Sequence, residues 1–225
     1  MLVPDISFNP SASFRNDSWG EMADISTLKY PGGRPPVMLR STQLAVKEVL
    51  ITQTKMLEKP TEIFLVTVVT DNRSTEPIKL RIASYKHIQP NQFLPLAPCG
   101  LLAYSHAADT RPSFLDYRIL IIEAREGLHE VRKLWNKIMT APKCISVRDI
   151  LVNVARVAPP SSSLIGVASD IVLNLAARTI NESEHAQLLY VRGTFDKKVD
   201  EMGMRYGLIS QGNEYASVKY QVEKI

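Results

Sequence analysis

The sequence predicts a mainly β protein with an α insertion: an antiparallel β-sandwich with two or three helices inserted before the C-terminal strands. Residues 215–223 alternate apolar and polar side chains, as a strand with one buried and one solvent-facing side does. A solvent-facing side favours an antiparallel sheet over a doubly wound α/β fold. Strand patterns occupy both ends of the chain, with helical spacing at about 127–180 between them. Strands from the two halves are therefore expected to pair.

Residues 1–40 show little periodicity and contain five prolines, which predicts an extended N-terminal arm before a single domain at 41–225. Aromatic side chains are spaced through this arm, whereas disordered segments are usually poor in aromatic residues. We therefore expect part of the arm to dock on its own domain or on a neighbouring subunit; a flexible tail is the alternative. Large aromatic residues dominate interface energies, so the predicted interface residues are Phe14, Trp19 and Tyr30.

The strands of the first half begin at Gln43. Residues 43–51 form an apolar pattern whose phase shifts near Glu48, which predicts a β-bulge. Residues 63–69 are apolar on both sides, as in a central strand covered on two faces, and 78–82 alternate as a half-exposed neighbour.

Residues 84–114 are broken by prolines, with short strands predicted near 93–96 and 101–104. A strong strand is predicted at 117–123.

Three helices are predicted next. The first carries apolar residues at steps of three and four: Leu128, Val131, Leu134, Trp135 and Ile138. Ser146 and Asp149 resemble a variant capping box that opens a second helix, and prolines 159 and 160 break it. Residues 164–180 form a third helix with a broad apolar surface. The helices either pack over one face of the sheet or leave it as a hairpin for a membrane or a partner groove.

The chain then returns to strands at 188–195, 206–210 and 215–223, with a tight turn at 211–213. The spacing of the segments 61–71, 117–123, 188–195 and 214–223 resembles C2-type or related eight-stranded sandwiches. This C2-like resemblance is one of topology and covers roughly residues 43–123 and 186–223. Calcium-binding C2 domains cluster aspartates on the loops at one end, whereas this chain has isolated ones, at 71, 109, 116, 196 and 200. The resemblance therefore implies the fold without a calcium site.

Composition and charge restrict the partners. The net charge of +4 and the pI of about 9.0 are mildly basic, but the paired basic residues at 132–133 and 197–198 have acidic neighbours, which disfavours a nucleic-acid partner. The N-terminus lacks a signal-peptide pattern, and no apolar run approaches the ~20 residues of a membrane-spanning helix. We expect a cytoplasmic or virion-associated protein. Whether Cys99 and Cys144 pair does not follow from the sequence.

The sequence offers no pattern for catalysis, a cofactor or a metal. Its four histidines match no metal-binding motif, and the closest histidine–carboxylate pair is His106 with Asp109. The serine-hydrolase elbow, the phosphate-binding loop and the dinucleotide fingerprint are all absent. No catalytic, cofactor-binding or metal-binding residue and no small-molecule substrate is therefore predicted.

The sequence favours a non-enzymatic interaction or assembly protein, which binds a protein partner or self-associates through its N-terminal arm. The alternative is a membrane-directed module, acting by C2-like lipid binding or by insertion of the 146–180 helical hairpin. A hydrolase built on carboxylates that meet in space, or on His106, is a third hypothesis.

Overall fold

The computed structural model describes residues 42–55, 61–72, 76–106, 112–125, 131–158, 160–180 and 185–224, and these form two antiparallel β-sheets covered on one side by helices. The strands are β1 (Thr42–Ile51), β2 (Thr61–Asp71), β3 (Ile78–Lys86), β4 (Gln92–Phe93), β5 (Leu101–His106), β6 (Phe114–Arg125), β7 (His185–Asp196), β8 (Leu208–Gly212) and β9 (Ala216–Lys224). The helices are α1 (Val131–Met139), α2 (Pro142–Val157) and α3 (Ser162–Ile180), and a 3₁₀ helix spans Glu201–Tyr206. The predicted fold class is confirmed.

The first sheet joins the two halves of the chain. Its order is β4-β1-β9-β8, and β5 also pairs with β1. Strand β1 runs antiparallel to β9, with Thr42 opposite Lys224 and Ile51 opposite Ala216. The register shifts between Val46 and Glu48, where the phase of the sequence predicts a bulge. The predicted pairing of strands from the two halves and the predicted bulge are both confirmed.

The second sheet has the order β3-β2-β6-β7 and separates two hydrophobic cores. In β6 and β2, alternate side chains point to opposite sides, as the strand period requires. Leu65 and Ile121 face the first sheet, whereas Val66 and Leu120 face the helices. All four are almost completely buried, so the prediction of a central strand covered on both faces is confirmed for β2.

The helices cover the outer side of the second sheet. Ile138 of α1 and Val172 of α3 are fully buried in the same core as Phe64 and Ile122 of that sheet. The sequence left two arrangements of the helices open. The structure has the first of these, in which the helices pack over one face of the second sheet.

The start of α2 differs from the prediction. The helix begins at Pro142 instead of near Ser146, which lies inside it. Proline suits the first helical turn, because its missing amide hydrogen would have no partner there and its backbone angle is already helical. The predicted break is confirmed, since α2 ends at Val157 and α3 begins at Ser162.

Two short strand predictions are also corrected. Strand β4 covers only Gln92–Phe93, where 93–96 is predicted. The predicted strand at 206–210 starts later, at Leu208, because the chain first forms the 3₁₀ helix. Glu201 and Met202 inside that helix have positive φ angles of 54° and 63°, which turn the backbone sharply before β8 begins.

Candidate interaction surface

A buried ion cluster fixes α3 to the second sheet. Arg118 on β6 points toward the helices and is only 5% exposed. Its Nη1 donates to Oδ1 of Asp116 at 2.6 Å, and its Nε donates to Oδ1 of Asp170 on α3 at 2.8 Å. Tyr190 on β7 donates to the same oxygen of Asp170 at 3.5 Å. One arginine therefore links a strand of the sheet to the helix above it.

The pKa values of Asp116 and Arg118 respond differently to their burial in this cluster. Burial raises the pKa of the Asp116 carboxyl, and the hydrogen bond from Ser169 and the charge of Arg118 reverse this only in part. Burial alone lowers the pKa of Arg118, but the hydrogen bonds and charges of Asp170 and Asp116 outweigh burial and raise it. The arginine has two carboxylate partners and remains a cation, whereas Asp116 depends on that one cation.

Small and hydroxyl-bearing residues let α3 approach the sheet closely at the same place. Ser169 Oγ is within hydrogen-bond distance of Thr70 Oγ1 of β2, at 2.9 Å, and of the carbonyl oxygen of Ile165, at 3.1 Å. Gly166 lies one turn before Asp170, and a Cβ there would be 3.8 Å from Nη2 of Arg118. The N-terminal half of α3 is thus anchored by polar contacts as well as by its apolar side chains.

The second helix is anchored much less. Cys144 and Leu151 are its buried residues, although α2 is 16 residues long. On another face, Ile150 is 50% exposed, Val154 37% and Val157 90%. These three residues, called the α2 stripe below, are spaced at i, i+4 and i+7 and so lie on one side of the helix. The α2 stripe is thus a partly exposed apolar face on a described helix, of the kind that often marks an interaction site.

The helical layer is also the most basic part of the molecule. Between residues 131 and 180 there are seven basic and two acidic residues, a net charge of +5, against +4 for the whole chain. One of the two acids, Asp170, is already paired with Arg118. On α2, Lys143, Arg148 and Arg156 are exposed. The α2 stripe is therefore an apolar strip within a cationic surface.

The edge of the second sheet is less available for pairing with another strand. At a register shift in β7, the backbone carbonyl of Gln187 accepts a hydrogen bond from Lys55 Nζ at 2.8 Å. The adjacent carbonyl of Leu188 accepts one from Asn213 Nδ2, also at 2.8 Å. Side chains that satisfy edge carbonyls and a bulge that bends the strand both discourage edge-to-edge association.

Of the aspartates singled out in the sequence, the four that the structure describes, at 71, 116, 196 and 200, each have a protein partner. Asp71 is fully buried and accepts a hydrogen bond from Tyr104 Oη at 3.0 Å. Asp196 accepts from the amide of Lys198, and Asp200 from the amides of Asp196 and Gly203. Within the described ranges, no group of three or more His, Cys, Asp or Glu side chains could hold a metal ion.

The remaining candidate residues are dispersed or lie outside the described ranges. Phe14, Trp19 and Tyr30, the predicted interface residues, all belong to residues 1–41, which the structure does not describe. His106 ends β5 with its ring stacked on Tyr104 at 6.2 Å between centroids, and Asp109, its predicted carboxylate partner, is outside the described residues.

The two cysteines are not joined. Cys99 is exposed and Cys144 is buried, and each is a free thiol. Burial raises the pKa of the Cys144 thiol, so that this side chain behaves as an apolar core residue.

Two features of this surface do not follow from the sequence pattern alone. Ile150 and Leu151 are adjacent apolar residues of one helix, but consecutive residues point about 100° apart, and of the two only Leu151 is buried. The Arg118 cluster had a signal in the sequence: charges at 116 and 118 directly before the apolar run 119–122 of the same strand. The partner of these charges, 52 residues further along, had no such signal.

The sequence matches no protein-family model, and no curated protein is similar to it. None of the helices that the structure describes is both long enough and apolar enough to cross a bilayer.

Proposed function

We propose that this protein is a non-enzymatic interaction or assembly protein that binds a protein partner or self-associates through its N-terminal arm. The observation that carries the proposal is the α2 stripe. A helix that buries only Cys144 and Leu151 while exposing three aliphatic side chains in register has an apolar face suited to a partner. The aromatic residues of the arm are large apolar side chains of the type that anchors a segment on such a face.

The proposal goes with the cytoplasmic or virion-associated location expected from the sequence. The free thiols of Cys99 and Cys144 suit a reducing compartment, where disulfides are rare.

Light scattering on the full chain tests self-association. The variant Phe14→Ala/Trp19→Ala/Tyr30→Ala should have a lower molar mass in solution than the original chain at the same concentration, because each substitution removes a large apolar contact. Circular dichroism of both proteins checks that the fold is intact. An equal mass for the two chains over a wide concentration range would refute self-association through the arm.

A membrane-directed module is the second candidate, and the same surface favours it. An apolar stripe among lysines and arginines suits a helix that lies in the interface of an anionic membrane. Co-sedimentation with vesicles of phosphatidylserine and phosphatidylcholine, with and without calcium, tests this function. Binding that is lost in Val154→Glu would support a membrane function, and a calcium requirement would support the C2-like mode. A protein that stays in the supernatant under all conditions is not membrane-directed.

A further inference from the structure

From the charge and position of the α2 stripe, we infer that it is the docking site for residues 14–25 of the N-terminal arm of a second copy of this chain. The inference rests on the proposed function and adds the receptor surface and the segment that occupies it. It joins an exposed apolar face on the described domain to the part of the sequence whose composition is complementary.

Charge supports this pairing. Residues 14–25 contain one basic and three acidic residues, Arg15 against Asp17, Glu21 and Asp24, a net charge of −2. The helical layer has a net charge of +5. Among and beside these acids the segment carries Phe14, Trp19, Met22 and Ile25, large apolar side chains that match an aliphatic stripe. Complementary charge steers association, and buried aromatic anchors provide most of its affinity.

The same argument disfavours a second copy of α2 as the occupant. Two α2 helices facing each other would bring together Lys143, Arg148 and Arg156 of both copies, against one acidic residue, Asp149, on each. Like charges across an interface oppose association. An acidic segment with aromatic anchors meets both the charge and the apolar character of the stripe.

The arm is attached at a suitable end of the sandwich. It joins β1 at Thr42, two residues from Leu44, which is paired with Tyr104. Tyr104 contacts Asp71 at the end of β2, and the neighbouring Thr70 contacts Ser169 in the N-terminal half of α3. Thr42 is therefore at the end of the molecule where α2 passes into α3.

The linker is long enough. Sixteen residues, 26–41, separate the segment from β1 and span up to about 50 Å when extended. Packed layers of a sandwich lie about 10 Å apart, so this length is several times the spacing between two layers.

The experiment measures assembly of the full chain and the environment of Trp19 in parallel. The chain has two tryptophans, so Trp135→Phe leaves Trp19 as the only fluorophore of its kind. In this background the Trp19 emission should be blue-shifted at concentrations where the protein is assembled. Val154→Glu and Val157→Glu should each shift it to the red and raise the dissociation constant of assembly about tenfold or more, as the loss of an interface contact of about 1.4 kcal/mol does.

Phe93→Glu is the matched control, because Phe93 is an exposed apolar residue on β4, in the sheet remote from the helices. It should change neither the emission nor the mass. Arg156→Glu should weaken assembly, and Glu21→Arg introduced with it should restore part of the loss if the two surfaces meet.

The outcomes separate this inference from the proposed function. If substitutions in the arm lower the mass but those in the α2 stripe do not, the arm assembles the protein by docking elsewhere, and the inference is wrong while the proposed function stands. A monomer whose Trp19 emission still responds to Val154→Glu would show docking within one chain and would overturn both the inference and self-association through the arm. Stripe variants that assemble normally but lose binding to phosphatidylserine vesicles would assign the stripe to a membrane.

Discussion

Arg118 on β6 and Asp170 on α3 are 2.8 Å apart, from Nε to Oδ1, and this ion pair crosses from the sheet to the helical layer. Its two members differ in burial, since the side chain of Arg118 is 6% exposed and that of Asp170 is 46% exposed. This difference in burial determines how much the free energy of unfolding should fall when each side chain is replaced.

Arg118→Met should destabilise the fold by about 3–5 kcal/mol, because it leaves the buried carboxyl of Asp116 without its cation. Asp170→Asn should cost about 1 kcal/mol or less, since Arg118 keeps Asp116 and water reaches the site. Urea denaturation measures both free energies of unfolding. A larger loss for Asp170→Asn would mean that the helix contact is the dominant one.

Gly193→Ala should destabilise the protein by about 3 kcal/mol or more through overpacking. A Cβ at Gly193 would lie 2.2 Å from Oη of Tyr117, whose hydroxyl is itself fixed by a 2.9 Å hydrogen bond to Tyr220. Gly166→Ala in α3 is the matched control, because the added Cβ would meet Arg118 and Asp116 only at ordinary contact distances. That change should raise the thermal midpoint, since alanine favours a helix by about 1 kcal/mol over glycine.

Leu151→Ala and Ile150→Ala should differ although the residues are adjacent. Leu151 is fully buried, and its truncation should cost about 2–5 kcal/mol by leaving a cavity. Ile150 is 50% exposed, so its truncation should change stability by about 0.5 kcal/mol or less. Chemical denaturation of the variants under monomeric conditions gives the comparison. Equal losses would show that the stripe is covered within one chain.

The protein should lose stability above about pH 10. Burial raises the pKa of Tyr104, Tyr117 and Tyr220 above the ordinary phenol value of 10.0. The folded state therefore keeps protons that the unfolded chain releases, and the stability present below pH 10 falls as the pH rises, by up to about 1.4 kcal/mol per pH unit for each tyrosine. Denaturation midpoints measured from roughly pH 8 to pH 12 should record this loss of stability.

Tyr104→Phe should reduce that alkaline slope, even though it lowers stability at neutral pH by removing the hydrogen bond from Tyr104 to the buried Asp71. Ultraviolet absorbance of phenolate, recorded with far-ultraviolet circular dichroism, should show ionisation and unfolding together. Phenolate that forms while the fold is intact would contradict the prediction that the buried tyrosines keep their protons until the protein unfolds.

Local patterns were sufficient for much of the fold. The alternation of β9, the phase shift at Glu48 and the doubly apolar β2 follow from side-chain period and need no knowledge of partners. The start of α2 could not be placed in the same way, because Ser146 and Pro142 both give helix-start signals and the proline position is the one used. The Arg118 cluster depends on a residue 52 positions away, and the exposure of Ile150 depends on how few neighbours α2 has in three dimensions. Neither is local information.

The pairing of β1 with β9 sets an order of events during synthesis. Residues 216–224 must leave the ribosome before β1 has this neighbour and the first sheet can be completed. Until then, the inner side of the second sheet, with side chains such as Leu65 and Ile121, stays exposed to other nascent chains. Growing polypeptides of this protein should therefore depend on chaperones until translation has passed Lys224.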